Sequence, residues 1–301
     1  MDTTNTTIII PSACRKNRRV EILKAIESIL NSEGAQPVIA FIANGPNVDP
    51  EIFEYVSSLP RVKAIQLEPP SATNAVRHGV QNCVDTPFFG FLDDDDYLLP
   101  GTIAGREDAL NKHPEYDVVI GRALRRQKGK ISSHMTFEQI QRCKNDPLGV
   151  MYGEGVNWMT SSAGLFRKSG FDNRLFDDPT QYFEWTYLAT KMVVKGMKVG
   201  FLEIEDHVIV DDLPANGADS LSRSQDYKDY EAKFLAAVKS LPLNKQQAHH
   251  IQFREATYYH ALSDELREKG EVGAALKAHL KSLTSIVGIK SYLLSTRKFV
   301  I

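Results

Sequence analysis

Phe88-Phe89-Gly90-Phe91-Leu92-Asp93-Asp94-Asp95-Asp96-Tyr97-Leu98-Leu99-Pro100 places four consecutive acids directly behind an apolar run. The run reads as a strand buried on both faces, because an apolar block without polar alternation has no side to give to water. Carboxylates crowded at its end repel one another and are costly to hold together unless a cation neutralises them. Oxygen-only donors suit a hard divalent ion such as Mg²⁺ or Mn²⁺. In extended backbone Asp93 and Asp95 point the same way, so one of the pair can grip an ion while the other holds a ligand or a water. The blander reading is a solvated acidic turn, which does not explain the buried strand in front of it.

Three more blocks upstream share the strand character: Thr7-Ile8-Ile9-Ile10 ended by Pro11-Ser12, residues 37–43 stopped by Asn44-Gly45-Pro46, and residues 62–67. Between them lie segments of helical spacing, with apolar Val20, Leu23, Ile26, Ile29 and Leu30 in the first, and further helices over 50–59 and 71–83. Strands and helices that alternate through short connections predict an α/β fold, a doubly wound and mostly parallel sheet. In such sheets ligands bind beyond the carboxyl ends of the strands. Asn44 and the four aspartates fall there.

Past Gly101 the pattern predicts a helix over 102–113, a strand over 116–121, a polar basic stretch over 122–130, a strand over 161–168 and a helix over 180–196. Short strands follow at 199–202 and 208–210. From about Ser224 the chain is strongly helical, with a turn near Gly270 to Gly273.

The 301 residues are 42% hydrophobic, enough for a sizeable core, and 36 basic against 38 acidic side chains leave a formal charge of −2. That balance supplies no polycation for nucleic acid. Cys14, Cys83 and Cys143 are odd in number and lack Cys-x-x-Cys spacing, which fits a reducing cytoplasm better than a disulfide framework or a zinc site. The start, MDTTNTTIIIP, has no basic region and too short an apolar run for a signal peptide, and no segment is long and apolar enough for a membrane span.

Ile8-Ile9-Ile10-Pro11, residues 25–30, Asn74 to Gly79 with Arg77, and Phe91 to Pro100 occur in an order that resembles the nucleotide-sugar half of a family 2 glycosyltransferase of the GT-A fold. The resemblance implies a Rossmann-like mixed sheet flanked by helices over residues 1–223, with 1–100 binding the donor and 101–223 the acceptor, and a helical C-terminal region over 224–301. It implies that Asp93 and Asp95 form an Asp-x-Asp motif for Mn²⁺ or Mg²⁺, with Asp95 the direct ligand and Asp93 closer to the donor ribose. Arg77 then contacts the donor nucleotide, Pro11 and Ser12 hold base and ribose, and Asp94 joins the substrate-binding residues on the loop or acceptor side.

Two departures stand out. The family's acid pair after the second strand is replaced by Ala43-Asn44-Gly45, so Asn44 meets the nucleobase without a charge. The segment after Pro11 is rich in base, and Arg15, Lys16, Arg18 and Arg19 either reach phosphates or are solvated.

Gly170-Phe171-Asp172-Asn173-Arg174-Leu175 resembles the segment that precedes the family's catalytic acid, yet Gln181-Tyr182 stand where the acid pair is expected. A base must be a carboxylate or histidine within reach of the acceptor hydroxyl. Glu184, flanked by aromatics that raise its pKa by desolvation, is the first candidate and Asp178 the second, though Asp178 also suits a helix cap. Trp158 and Trp185 each have an indole face that suits a sugar ring and equally suit core packing, and Trp185, next to Glu184, is placed with the substrate-binding residues. His207, Asp211 or Asp212 could complete a metal shell ahead of Ser220-Leu221-Ser222.

The implied reaction is an inverting transfer from a nucleotide-diphosphate sugar to a glycan or lipid-linked acceptor, as in surface polysaccharide synthesis. One rival is a nucleotidyltransferase, which would show a glycine-rich phosphate loop that residues 11–19 lack. Another is a non-catalytic sugar-nucleotide or polysaccharide binder of the same fold. The mixed apolar and basic tail over 286–299 could lie on an anionic membrane surface at the inner face, dock on the domain, or join a homo-oligomer.

Overall fold

The computed structural model describes residues 4–68, 71–177, 182–211 and 227–299. The chain opens with β1 (Thr6–Ser12), α1 (Arg19–Leu30), β2 (Val38–Asn44), α2 (Pro50–Ser58), β3 (Val62–Leu67), α3 (Ala72–Asn82) and β4 (Phe88–Phe91). Local chemistry sets the helix starts. Asp49 caps α2 by accepting from the Ile52 N–H at 3.0 Å with Pro50 at the first helical position, and Ser71 caps α3 through the Asn74 N–H at 3.1 Å.

β5 (Tyr97–Leu98), α4 (Thr102–Lys112), β6 (Val118–Gln127), β7 (Lys130–Ser133), α5 (Phe137–Cys143), β8 (Gly164–Arg167), α6 (Glu184–Val194) and β9 (Val199–Val210) follow. The sheet order is β3-β2-β1-β4-β8-β6-β9-β5, with β7 hairpinned onto β6. Strands β3, β2, β1 and β4 are mutually parallel; β8 enters antiparallel between β4 and β6, and β6 is parallel to β9. The sheet is thus mixed, with its parallel half at the N-terminal end of the chain.

Alternation along β1 explains the two-sided core. Ile9 packs with Ile42, Phe89, Phe91 and Phe166 on one face, while Ile8 and Ile10 join Phe41, Phe88 and Leu165 on the other. Helices α1, α2 and α4 cover the second face through residues such as Ile26, Val56 and Leu110, and α3 and α6 cover the first through Val76 and Leu188.

The polar basic stretch over residues 122–130 is strand and turn. It continues β6 and turns at Lys128-Gly129, both at positive φ (49° and 73°), which is the backbone that two-residue hairpins require. The two short strands read over 199–210 are likewise one strand, β9.

The C-terminal helices are α7 (Tyr227–Lys239), α8 (Lys245–Glu268), α9 (Val272–Ser282) and α10 (Ile286–Tyr292). Phe234, Leu235 and Ile251 share the core that holds Phe91 and Phe183, so α7 and α8 are built onto the sheet domain. The boundary placed at residues 223–224 lies outside the described residues. The tail docks by one face: the Tyr292 ring stacks on His260 at 4.2 Å, its hydroxyl lies 2.8 Å from Thr257 Oγ1, and Lys298 Nζ is 2.9 Å from Asp264. Its other face leaves Ile286, Ile289, Leu293 and Leu294 exposed. No helix among the described residues is long and apolar enough to cross a membrane.

Candidate active site

The chain runs from β1 to β2 and β3 on one side, then returns through α3 to place β4 on the other side of β1. The connections therefore diverge at the carboxyl ends of β1 and β4, the position where open α/β sheets bind ligands. Pro11 and Ser12 stand at one end and Asp93 at the other. Asn44, at the end of β2, donates its side-chain N–H to the Ser12 carbonyl at 3.1 Å and so ties the two strand ends together.

The four aspartates are not extended. The Asp96 N–H returns to the Asp93 carbonyl at 3.1 Å, closing a turn between β4 and β5. The alternation expected of Asp93 and Asp95 is replaced by a turn in which Asp94 and Asp95 converge on Arg18 while Asp93 and Asp96 turn elsewhere. Asp94 accepts from Ser12 Oγ at 2.5 Å and from Arg18 Nη2 at 2.7 Å. Asp95 lies 2.9 Å from the same Arg18 nitrogen. Asp96 turns inward, where it accepts from Ser162 Oγ and from the Val210 N–H, both at 2.9 Å. Asp93 faces the cavity described below and is hydrogen-bonded by Ser161.

Burial, then the Asp95 charge, pushes the Asp93 carboxyl up to about 7. Asp96 is also raised well above the usual range, by burial and then by Asp93. The loop is thus short of positive charge even with Arg18 in place. Hard oxygen donors in that condition fit a divalent ion on Asp93 and Asp95. Among the described residues no three His, Cys, Asp or Glu side chains form a metal-holding group, so such an ion would complete its shell with substrate and water.

His207 is committed elsewhere. It is fully buried, with Nδ1 2.7 Å from Asp206 Oδ1 and Nε2 3.3 Å from Thr160 Oγ1. Burial lowers its pKa, which keeps the ring neutral. Asp211 hydrogen-bonds Gln127 at 3.3 Å at the end of β9. Asp212 and Ser220-Leu221-Ser222 lie outside the described residues.

A cavity of about 350 Å³ brings together Pro11, Asp93, Asp177, Glu184, Trp185 and Lys191. It joins the strand ends to the start of α6. Trp185 lines it with its indole 5.1 Å from the Phe91 ring, and burial raises the Glu184 carboxyl above its ordinary value. Tyr182 enters α6 at φ +68°, a left-handed backbone that costs a non-glycine residue roughly 1–2 kcal/mol. Strain of this size is kept where neighbours over-determine it, here with the ring against Tyr230 at 4.9 Å.

Arg77, on the helix flanking the site, points Nη1 to within 3.9 Å of Asp177 Oδ1 at the cavity rim. Asp178 lies outside the described residues. Trp158 is a core residue, 2% exposed, whose Nε1 donates to the Pro147 carbonyl at 2.9 Å.

Reading the chain alone misses Ser161, Ser162, Asp177 and Lys191. The first two carry a faint signal, a polar Thr160-Ser161-Ser162 placed directly before an apolar strand. The last two carry none, because their place depends on how α6 packs over β4.

The profile of glycosyl transferase family 2 matches residues 7–175, more than half of the chain and a span that reaches from β1 through β8. The chain belongs to glycosyltransferase family 2. No curated protein matches this glycosyltransferase in sequence. Among solved structures it is similar to residues 1–349 of S. aureus TarS in complex with UDP-GlcNAc, at a TM-score of 0.61 and 14% identity over 93% of this chain and 82% of that one. The same TarS segment in complex with UDP gives a TM-score of 0.59 at 13% identity, over 98% and 92% of the two chains. At such identities the likeness establishes a shared GT-A-like fold.

Proposed function

We propose that this glycosyltransferase is an inverting, divalent-metal-dependent enzyme that moves a sugar from a nucleoside-diphosphate donor to a glycan or lipid-linked acceptor. The observation that carries the reading is that Asp93, just past β4, and Glu184, at the start of α6, line one cavity. A donor held at the strand ends would share that cavity with the Glu184 carboxylate. The UDP and UDP-GlcNAc complexes of TarS support a uridine diphosphate donor.

In this mechanism Pro11, Ser12 and Asn44 frame the base and ribose, Arg77 faces the nucleotide, and Asp94 holds the loop to β1. Asp93 and Asp95 would hold Mn²⁺ or Mg²⁺, which supplies charge for the departing diphosphate. Trp185 offers a stacking face to the sugar. Glu184 takes the proton of the acceptor hydroxyl, whose oxygen attacks C1 as the C1–O bond to the diphosphate breaks, so the configuration inverts. A raised carboxyl pKa improves that base, since a stronger base still ionised at working pH draws the proton more effectively.

The exposed face of the tail supports peripheral contact with an anionic membrane. Residues 272–299 carry no acid, and Lys277, Lys290 and Arg297 accompany exposed Ile286, Ile289, Leu293 and Leu294, while Lys281 and Lys298 turn to Tyr259 and Asp264. An enzyme acting on lipid-linked acceptors would work from the inner face.

The test is release of UDP from a panel of UDP-sugars with Mn²⁺ present, alongside thermal shift with each nucleotide. Stabilisation by a UDP-sugar and release on adding acceptor supports the reading. A protein that no nucleotide sugar stabilises would sink it.

A further inference from the structure

We propose that Arg18 is the resident counter-ion of the acidic loop, holding Asp95 in the metal-free enzyme and exchanging it for the donor diphosphate when the divalent ion binds. The proposal rests on the metal-dependent reading above. Arg18 lies at the start of α1, and its Nη2 reaches Asp94 Oδ1 at 2.7 Å and Asp95 Oδ2 at 2.9 Å.

The two contacts are unequal. The Asp94 side chain is 13% exposed and is fixed from a second side by Ser12 Oγ, which itself accepts the Cys14 N–H at 2.9 Å. The Asp95 side chain is 35% exposed and is held by Arg18. Asp94 is therefore the anchor and Asp95 the exchangeable partner.

The guanidinium also has donor capacity in reserve, because its Nε is buried without a hydrogen-bond partner among the described residues. A dication shared by Asp93 and Asp95 draws on the carboxylate whose Oδ2 Arg18 now contacts, and the two cations repel. The geometry lets Arg18 keep Asp94 and turn its other N–H groups to the anionic diphosphate that arrives with the ion. Arg18 thus acts as a positioning residue that makes metal and donor binding support each other. Each alone meets a site that is already partly neutralised or lacks the freed guanidinium.

Calorimetric titration of the full chain with Mn²⁺ alone, and then with UDP at saturating Mn²⁺, tests this in wild type, Arg18→Ala and Arg18→Gln. Removing the competing cation should tighten Mn²⁺ binding about tenfold in both variants, the scale of one charged hydrogen bond, and weaken UDP binding by a similar factor. A purely structural Arg18 predicts the opposite sign for the metal, since a disordered loop binds Mn²⁺ worse. Unchanged or weaker Mn²⁺ affinity in a variant with a wild-type circular dichroism spectrum overturns the proposal, as does undetectable Mn²⁺ binding in all three proteins. Wild-type turnover of a UDP-sugar, measured separately, judges the glycosyltransferase reading, so one can fail while the other stands.

Discussion

Arg106 on α4 and Asp206 on β9 form a two-bond ion pair inside the domain, Nε to Oδ2 at 2.7 Å and Nη2 to Oδ1 at 2.8 Å, with 3% and 2% of their side chains exposed. Arg106 Nη1 also donates to the Ser162 carbonyl at 3.0 Å, and the Asp206 carbonyl accepts the Leu99 N–H at 2.8 Å. The pair therefore braces both the serine segment and the chain just past the acidic loop. Burial alone would raise the Asp206 carboxyl, yet the Arg106 charge and the His207 hydrogen bond hold it below its ordinary value.

Asp206→Ala leaves a buried guanidinium without its carboxylate, and the expected loss is about 3–5 kcal/mol in urea unfolding. The folded pKa is below the unfolded one, so the contribution of Asp206 is present above about pH 4 and is lost only as the pH falls through the folded value. Gly121→Ala should be destabilising at the same place, because its Cβ would lie 1.9 Å from Asp206 Oδ2. A wild-type urea midpoint for Asp206→Ala would show that Arg106 finds another partner.

Gly90 is the one residue without a side chain in the Phe88–Phe91 strand, and the reason is its neighbour. A Cβ there would stand 2.8 Å from the Gly164 carbonyl oxygen of β8 and 3.3 Å from Ile8 Cδ1. Backbone cannot yield as a flexible side chain does, so Gly90→Ala should cost roughly 1–3 kcal/mol by overpacking. Because Asp93 follows three residues later, the same variant should weaken Mn²⁺ binding. A fall in melting temperature with unchanged metal affinity would separate packing from the site.

Most of the parallel half of the sheet was legible because β1, β2 and β4 are buried on both faces. Residues 62–67 are β3 as read, and the blocks at Ile8 to Ile10 and Phe88 to Phe91 fall inside β1 and β4. The antiparallel half was less so. β6 leaves the core at Arg122 and runs on with one face exposed, so its hydrophobic signal fades while its hydrogen bonds to β7 and β9 continue. The motif was legible as residue types but not as shape: Asp94 and Asp95 are gathered on Arg18 with Ser12 on Asp94, while Ser161 and Ser162 hold Asp93 and Asp96. Those partners come from two distant segments, and only tertiary packing brings them together.

The tail offers a prediction that leaves the fold untouched. Leu293 and Leu294 are 52% and 78% exposed, so Leu293→Ser with Leu294→Ser should leave the melting temperature within about a degree, as surface changes usually do. If this face meets lipid, co-sedimentation with phosphatidylglycerol vesicles should fall several-fold, while uncharged phosphatidylcholine vesicles bind neither protein. Equal binding by variant and wild type would remove this face as the anchor.

Glu184 combines a cost in stability with its proposed use in catalysis. Desolvation raises its folded pKa above the ordinary 4.5, while backbone N–H groups of Glu184 and Tyr182 oppose the shift. The folded protein therefore keeps this proton at a pH where the unfolded chain has lost it. Stability falls as the pH rises through that window, and at neutral pH the ionised carboxylate carries its full desolvation penalty. Glu184→Gln removes the charge and should raise the melting temperature at pH 7. Loss of the base should lower kcat by about 10²–10⁴. In the wild type, kcat/KM should show an acid limb with its midpoint above 4.5, and the residual activity of the variant should lack it. A variant that is both less stable at pH 7 and still active would show that Glu184 is neither strained by burial nor the base.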